Sequence, residues 1–467
     1  MNWIKRTGCV AVLIALAATV AFAADAVGEG PPADVAKLMH AAQAGDAEAQ
    51  IELAIRYIQG NGVDKDIATA IEWQRKAADQ GHAKAQYAMG MAYLRGIGIK
   101  ADPGEGIAWF TKAAEQEYPP AQYRLAECYA RGTGVKVQAK EAVKWYRKAA
   151  ALGNPQAQND LGLQYLTGEF VTQDLSKAVG LFARAAKKGH PGALQNLGNC
   201  FTAGFGVEVD LKRAARLFTA AAQRGDVRAQ VALGNCYQYG RGVQADPNQA
   251  VLWFRKAIGQ GSPAGMHALG ICYAKGIGVK ADPNQTVHWY REATAHGSAE
   301  APLSLAGCYN EGFGVTADAN QVVHWIITSA DRGHGRAQWT LGKMYESGEG
   351  VPKDPRKALA YYRAAAEGGT AQYQYQLAGI YQSGTLGTVN LTEAFEWYLN
   401  AAQRGHTQAQ QDLARCYSEG IGCDKDPKEA DRWRAKASGT DTVDMDFDFS
   451  IPASPAAGDT AATKAGG

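Results

Sequence analysis

The feature that most constrains this chain is a 36-residue repeat, which recurs eleven times without an insertion or deletion. One column of the repeat holds leucine ten times and methionine once, starting at Leu53, and a second holds glycine in every copy, starting at Gly60. A third column is mostly tryptophan, at residues 73, 109, 145, 253, 289, 325, 397 and 433. A fixed period of this length is typical of stacked repeats that share one continuous core.

Each repeat contains the pattern of two helices, as residues 262–297 illustrate. Apolar and small residues at helical spacing predict a first helix from Pro263 to about Ala274, and Gly276 follows as its C-terminal stop. Asp282-Pro283 opens the second helix, because Asp caps a helix N-terminus and Pro suits the first turn. Gln285 stands three residues after Asp282 and completes a capping-box pattern.

The small residues in the repeat predict how the helices pack. Gly270 and Ala293 leave room between neighbouring helices, and Leu269, Tyr273 and Trp289 fill the space around them. One helix pair cannot bury such a face alone, whereas stacked pairs can. The sequence therefore predicts an all-α fold, an α-solenoid of eleven stacked helix-turn-helix repeats.

The pattern LG-x-x-Y-x-x-G-x-GV-x-x-D followed by A-x-x-WY-x-x-AA-x-x-G-x-x-x-AQ resembles the Sel-one-like repeat, a branch of the tetratricopeptide superfamily. The resemblance implies a right-handed superhelix whose first helices line the concave surface. It also implies a non-enzymatic scaffold or regulatory adaptor, exported from a bacterium to act in its envelope.

Four segments follow from this interpretation. Residues 1–23 have a basic start, an apolar run and an Ala-x-Ala end, which predicts a cleaved signal peptide; the alternative is an uncleaved anchor. Residues 24–45 are expected to hold a linker and a capping helix, and residues 46–439 the repeats. Residues 440–467, poor in large apolar side chains, are expected to be disordered.

Composition limits the partners. The formal net charge is +2 in 467 residues, which excludes the basic excess that nucleic-acid binding needs. After the N-terminal segment no stretch is apolar enough to span a membrane, so we expect an exported periplasmic or secreted protein.

Residue types that carry chemistry recur with the repeat, which favours a packing role. Six cysteines, at positions 128, 200, 236, 272, 308 and 416, share one column and are expected to be buried thiols. Cys416 and Cys423 are the one candidate disulfide, since they lie in the same repeat. The Gly-x-Gly loops follow helices instead of strands, and no His pair has metal-ligand spacing. The sequence predicts no catalytic residue, metal or cofactor.

Binding residues are expected where the repeat leaves the residue free, on the concave side of the first helices. The positions equivalent to 51 and 55 hold apolar residues at one end and aromatic and charged residues at the other. This predicts a partner-binding surface that includes Ile51, Ile55, Tyr87, Met91, Tyr123, Trp339, Lys343 and Tyr375. The alternative is that the ends of the superhelix bury these side chains.

The sequence leaves three questions about function open. The partner is expected to be another envelope or secreted protein or peptide, although a carbohydrate strand fits an aromatic and polar surface almost as well. A cell-wall enzyme or a polysaccharide- or peptidoglycan-binding envelope protein is the alternative to a scaffold. In the tail, residues 443–451 alternate apolar and acidic or polar residues, so this segment is either solvated or docks in a groove.

Overall fold

The computed structural model describes residues 32–438, and these form two compact units, residues 32–193 and 194–438. Within the described residues every regular element is a helix, 23 in all, and eleven helix pairs follow one N-terminal helix. The predicted all-α solenoid of 36-residue repeats is confirmed. The expected signal peptide and the expected disordered tail lie outside the described residues.

Helix α1 spans Ala33–Gln43 and precedes the repeats. The first helices of the repeats are α2 (Ala47–Gln59), α4 (Ala83–Arg95), α6 (Pro119–Arg131), α8 (Pro155–Thr167), α10 (Pro191–Ala203), α12 (Val227–Tyr239), α14 (Pro263–Lys275), α16 (Ala301–Glu311), α18 (Gly335–Ser347), α20 (Ala371–Ser383) and α22 (Thr407–Glu419). The second helices are α3 (Ile67–Asp79), α5 (Pro103–Glu115), α7 (Ala139–Ala151), α9 (Leu175–Lys187), α11 (Leu211–Gln223), α13 (Pro247–Ile258), α15 (Pro283–Ala295), α17 (Ala319–Asp331), α19 (Pro355–Glu367), α21 (Leu391–Gln403) and α23 (Pro427–Ala437).

The predicted helix ends at residues 262–297 are present. Gly276 caps α14 with φ 69°, in the left-handed region, and the Asp282 carboxylate accepts hydrogen bonds from the backbone N–H groups of Asn284 and Gln285. The backbone N–H of Asp282 donates to the Tyr273 carbonyl oxygen at 3.0 Å. The predicted capping box is therefore half correct. Asp282 caps the helix, but its backbone N–H donates to the carbonyl oxygen of Tyr273, in the tyrosine column, and not to the Gln285 side chain.

The small column of the first helices makes room for a ring. A Cβ added at Gly270 would lie 2.6 Å from the Tyr290 ring, and one at Gly342 would lie 2.7 Å from the Tyr362 ring. Tyr362 is buried to 1 % exposure in the unit formed by residues 194–438. Glycine at this column thus lets an aromatic side chain of the second helix approach the first helix more closely than a side chain there would allow.

A glutamine near the start of most first helices ties one repeat to the previous one. In the unit formed by residues 32–193, the Gln122 side-chain amide donates to the Ala114 carbonyl oxygen at 3.1 Å. In the other unit, Gln374 donates to the Ala366 carbonyl oxygen at 3.2 Å. These carbonyls belong to the last turn of the preceding second helix, where the regular helical hydrogen bonds end, and the other donors to them are backbone N–H groups at the C-terminus of that helix or in the turn after it. The glutamine therefore caps one helix from the next.

Candidate functional site

The first helices carry one face, exposed in part, whose residues vary from repeat to repeat in each unit. In the repeat of residues 299–334 this face consists of Glu300, Ser304, Gly307 and Glu311, which stand at i, i+4, i+7 and i+11 on one side of the helix. We call these positions and their equivalents in the other repeats the first-helix face. Its residues differ in charge and size from repeat to repeat, whereas the buried leucine and small columns do not.

Three of the side chains that the sequence predicts to line the partner-binding surface are buried. Ile51 is 2 % exposed and lies in a cluster with Ile71 and Met89, and Met91 is 5 % exposed and packs in a cluster that includes Phe110. Trp339 is 9 % exposed, and its ring centroid lies 4.2 Å from that of Tyr362. The expectation of exposure is wrong for these three residues, because adjacent repeats pack closely enough to enclose them.

The other predicted residues are partly or fully accessible. Ile55, Tyr87, Tyr123 and Tyr375 are half-buried, and Lys343 is exposed on the first-helix face. The Tyr375 ring stacks on the His406 ring at 4.5 Å between centroids. Their role in binding a partner stays a prediction.

A recurring contact explains why the position equivalent to residue 51 is not free. The Tyr123 hydroxyl donates to the Asp160 carboxylate at 2.9 Å, and the His267 Nε2 lies 2.8 Å from the Ser304 Oγ. Both pairs are 37 residues apart, so each joins this position to the following position of the next repeat. This link was not predicted from the sequence, because the repeat positions were considered one at a time. The signal is a pair of side chains able to form a hydrogen bond and separated by 37 residues, which is one repeat and one further residue.

A cavity of about 640 Å³ opens beside α16, α17 and α18 in the unit formed by residues 194–438. It is lined by Glu300, Leu303, Ser304, Ala306, Gly307, Asn310, Val322, Ile326, His334, Arg336 and Thr340. Two departures from the repeat open this space. Gly307 has no side chain where the neighbouring repeats carry Ile271 and Lys343, and Ile326 stands where most repeats have an aromatic ring.

A third departure moves the helix start. Pro302 takes the place of the capping glutamine, and α16 begins at Ala301, later in its repeat than most first helices. The Thr294 carbonyl oxygen, which the glutamine would cap, instead accepts a hydrogen bond of 2.7 Å from the Arg332 guanidinium. This local rearrangement preserves the cap of α15 although the glutamine is missing.

The cavity is lined by an acidic side chain, Glu300, a basic one, Arg336, and the imidazole of His334. Glu300 Oε2 lies 3.5 Å from Nδ1 of the buried His267. Burial lowers the pKa of His267, against the opposing effect of Glu300, and burial also lowers the pKa of His334. Arg336 is exposed and has no ion pair with any residue that the structure describes. The cavity therefore offers an unpaired cation, Arg336, and an acidic side chain, Glu300, beside an apolar floor.

Ser304, His267 and Glu300 are the residue types of an acyl-transfer triad, and they lie close together. The Ser304 backbone N–H, however, donates to the Glu300 carbonyl oxygen within the first turn of α16, so it cannot stabilise an oxyanion. The Ser304–His267 bond also occupies the same two repeat positions as the Tyr123–Asp160 bond. We therefore interpret it as a link between repeats. Among residues 32–438 no group of histidine, cysteine and acidic side chains is arranged to hold a metal.

The cysteines among residues 32–438 are free thiols, as their column predicts. Cys416 is buried and Cys423 is half-buried, and both are free, so the candidate disulfide between them is wrong for this structure. Burial raises the pKa of Cys416 to about 11 and that of Cys200 to about 12. Thiols with such pKa values are poor nucleophiles at neutral pH.

None of the helices in the described range is both long and apolar enough to pass through a lipid bilayer.

Paired helices, in-register packing columns and a variable exposed face define the chain as an α-helical repeat protein of the solenoid class. The family model for the Sel1 repeat matches eleven consecutive segments, residues 47–82, 83–118, 119–154, 155–190, 191–226, 227–262, 263–298, 299–334, 335–370, 371–406 and 407–438. The chain belongs to the Sel1 repeat family.

Two solved structures extend the comparison. The chain is 33 % identical to a protective antigen of uropathogenic Escherichia coli that displays the SLR fold, over 87 % of each chain and with a TM-score of 0.56. It is 30 % identical to a Sel1 repeat protein from Oxalobacter formigenes, over 48 % of this chain and 96 % of that one, with a TM-score of 0.44. No curated protein matches the chain.

Proposed function

We propose that this protein is an exported, non-enzymatic scaffold or regulatory adaptor that binds an envelope or secreted protein through the first-helix face. One observation carries the proposal: residues on this face change from repeat to repeat while the packing columns stay constant. A surface that differs along a regular scaffold supplies distinct contacts to an extended partner. Lys343 and Arg336 lie on this face, two turns of α18 apart, and supply charge for recognition.

The Escherichia coli relative supports the exported location. It is a protective antigen, a description that accords with a location outside the cytoplasm. The signal peptide expected at residues 1–23 gives this chain a route to a similar location.

The cell-wall enzyme is the second candidate, and the contact of Ser304 with His267 is the observation that favours it. Its test is direct: a Ser304→Ala variant abolishes hydrolysis of a model ester if the pair is catalytic. We expect no hydrolysis above the uncatalysed rate from either the parent protein or the variant. A glycan ligand is less well supported by the cavity, because its eleven lining residues include no Trp, Tyr or Phe ring on which a sugar could stack.

Site-specific photo-crosslinking in cells tests the scaffold. A photoreactive residue replaces Lys343 on the first-helix face in one variant and Leu252, which is 44 % exposed on the second helix α13, in the control. We expect one discrete protein adduct from position 343 and none of the same mass from position 252. Equal adducts at both positions, or none at position 343, would contradict the proposal.

A further inference from the structure

The cavity beside α16 to α18 has the composition of a peptide-binding pocket. Leu303, Val322 and Ile326 supply an apolar floor, while Asn310 and Arg336 supply hydrogen-bond donors. Its volume of about 640 Å³ lies within the range of pockets that take a ligand of several groups. A ligand that fits combines apolar side chains with carboxylates.

The chain itself contains a segment with that chemistry. Residues 443–451 read VDMDFDFSI, in which five apolar residues alternate with aspartates and a serine. Successive side chains of an extended peptide point to opposite sides, so such a peptide presents one apolar side and one acidic side. The apolar side matches the floor, and the acidic side matches Arg336, the exposed cation of the lining, which also contains one acidic side chain, Glu300.

The length of chain after the last described residue allows this contact. The C-termini of the second helices lie beside the N-termini of the first helices, as the hydrogen bond from Gln410 in α22 to Ala402 in α21 illustrates. The C-terminus of α23, a second helix, is therefore expected on the same side of the array as the N-terminus of α18. Three helix spacings of about 8–10 Å separate that end from the N-terminus of α18, roughly 24–30 Å in total. Nine extended residues, from Ser438 to Phe447, span about 31 Å.

We propose that residues 443–451 of this chain bind in the cavity lined by Gly307, Ile326 and Arg336 and thereby occupy part of the first-helix face. This inference rests on the proposed function, since it makes the tail a competitor of the partner on that face. A partner that binds there must displace the tail, so the tail sets the affinity of the free protein for its partner.

A matched pair of glycine variants tests the contact. A side chain at Gly307 projects into the cavity, and a Cβ there meets no atom within 4 Å, so Gly307→Leu fills the space without disturbing the packing. Gly379 is the equivalent residue two repeats later, its Cβ is equally unobstructed, and it does not line the cavity. Gly379→Leu is therefore the control for any effect of leucine on the helix.

The probe is a fluorescently labelled peptide of residues 441–452, and binding is measured by fluorescence anisotropy. We expect the peptide to bind a chain lacking residues 440–467 about tenfold more tightly than the full chain, whose own tail competes. In the shortened chain, Gly307→Leu and Arg336→Gln each weaken binding about tenfold, and Gly379→Leu leaves it unchanged. Circular dichroism confirms that each variant retains its helical content.

Three results would overturn the inference: no binding to the shortened chain, equal binding to Gly307→Leu and Gly379→Leu, or undiminished binding of a peptide whose aspartates are asparagines. The proposed function has a separate readout. If position 343 captures a partner while the peptide fails to bind, only the tail contact is refuted. If the peptide binds and position 343 captures nothing, the scaffold is refuted instead.

Discussion

The second glycine of each Gly-x-Gly loop gives the sharpest test of how the repeats stack. A Cβ at Gly242 would overlap the carbonyl oxygen of Leu211, in the first turn of the preceding second helix α11. Gly242 also has φ 76°, which is unfavourable for any residue with a Cβ. Gly261 has nearly the same φ, 78°, but its Cβ would meet no atom within 4 Å. The two residues therefore separate backbone strain from the loss of inter-repeat contact.

The expected magnitudes follow from this comparison. Alanine in the left-handed region costs about 1–2 kcal/mol, and both Gly242→Ala and Gly261→Ala carry this cost. The overlap with Leu211 adds roughly 1–3 kcal/mol in Gly242→Ala alone, because a helix backbone cannot turn away as a side chain can. We expect Gly242→Ala to destabilise the protein by about 2–5 kcal/mol in total.

Hydrogen exchange with urea measures the effect locally, which matters because a long repeat array does not unfold in two states. The amides of α11 should lose protection in Gly242→Ala and keep most of it in Gly261→Ala. The urea midpoint should fall in the order parent protein, Gly261→Ala, Gly242→Ala. Equal losses in the two variants would refute the claim that the glycine is required for close stacking.

Three further outcomes are expected. Gln122→Leu removes the side-chain hydrogen bond to the Ala114 carbonyl oxygen, which keeps the Glu117 backbone N–H as a donor, and it destabilises this part of the array by about 0.5–1.5 kcal/mol, measured as lost hydrogen-exchange protection in α5 and α6. Because burial lowers the pKa of His267, the unfolded chain binds more protons below about pH 6.5, so stability falls as the pH drops through this range. His267→Asn should flatten that part of the stability profile, and an unchanged slope would show that other groups dominate. Among the described cysteines, Cys423 should react first with a thiol reagent, and the column that includes Cys416 only after unfolding; a missing thiol would instead indicate the disulfide.

Much of the fold could be predicted because the same helix-capping and packing residues recur at the same position of many repeats. The Asp-Pro helix starts, such as Asp282-Pro283, and the glycine stops, such as Gly276, are local signals, and the structure contains them where the sequence places them. The function of the glutamine column was missed. Its bond, as in Gln374, runs to a carbonyl of the previous helix, and a hydrophobic pattern contains no information about such a cap.

The surface was harder to predict than the core. Variation at the position of Ile51 and Trp339 looked like freedom to bind a partner, but these side chains fill the space between repeats. Their size varies because each is matched to the repeat that follows, as Tyr123 is to Asp160. The cavity was also missed, because it results from Gly307 and Ile326 acting together from two neighbouring helices, and neither residue is unusual by itself.

The central claim is that recognition occurs on the first-helix face, and the affinity of the captured partner measures it most directly. Binding of that partner is compared for the double variant Arg336→Glu with Lys343→Glu and for Arg216→Glu, a charge reversal at an exposed residue of the second helix α11. We expect the double variant to weaken binding about tenfold or more and Arg216→Glu to leave it within about twofold of the parent protein. Full affinity in the double variant, together with a loss in Arg216→Glu, would place recognition on the second helices and contradict the account.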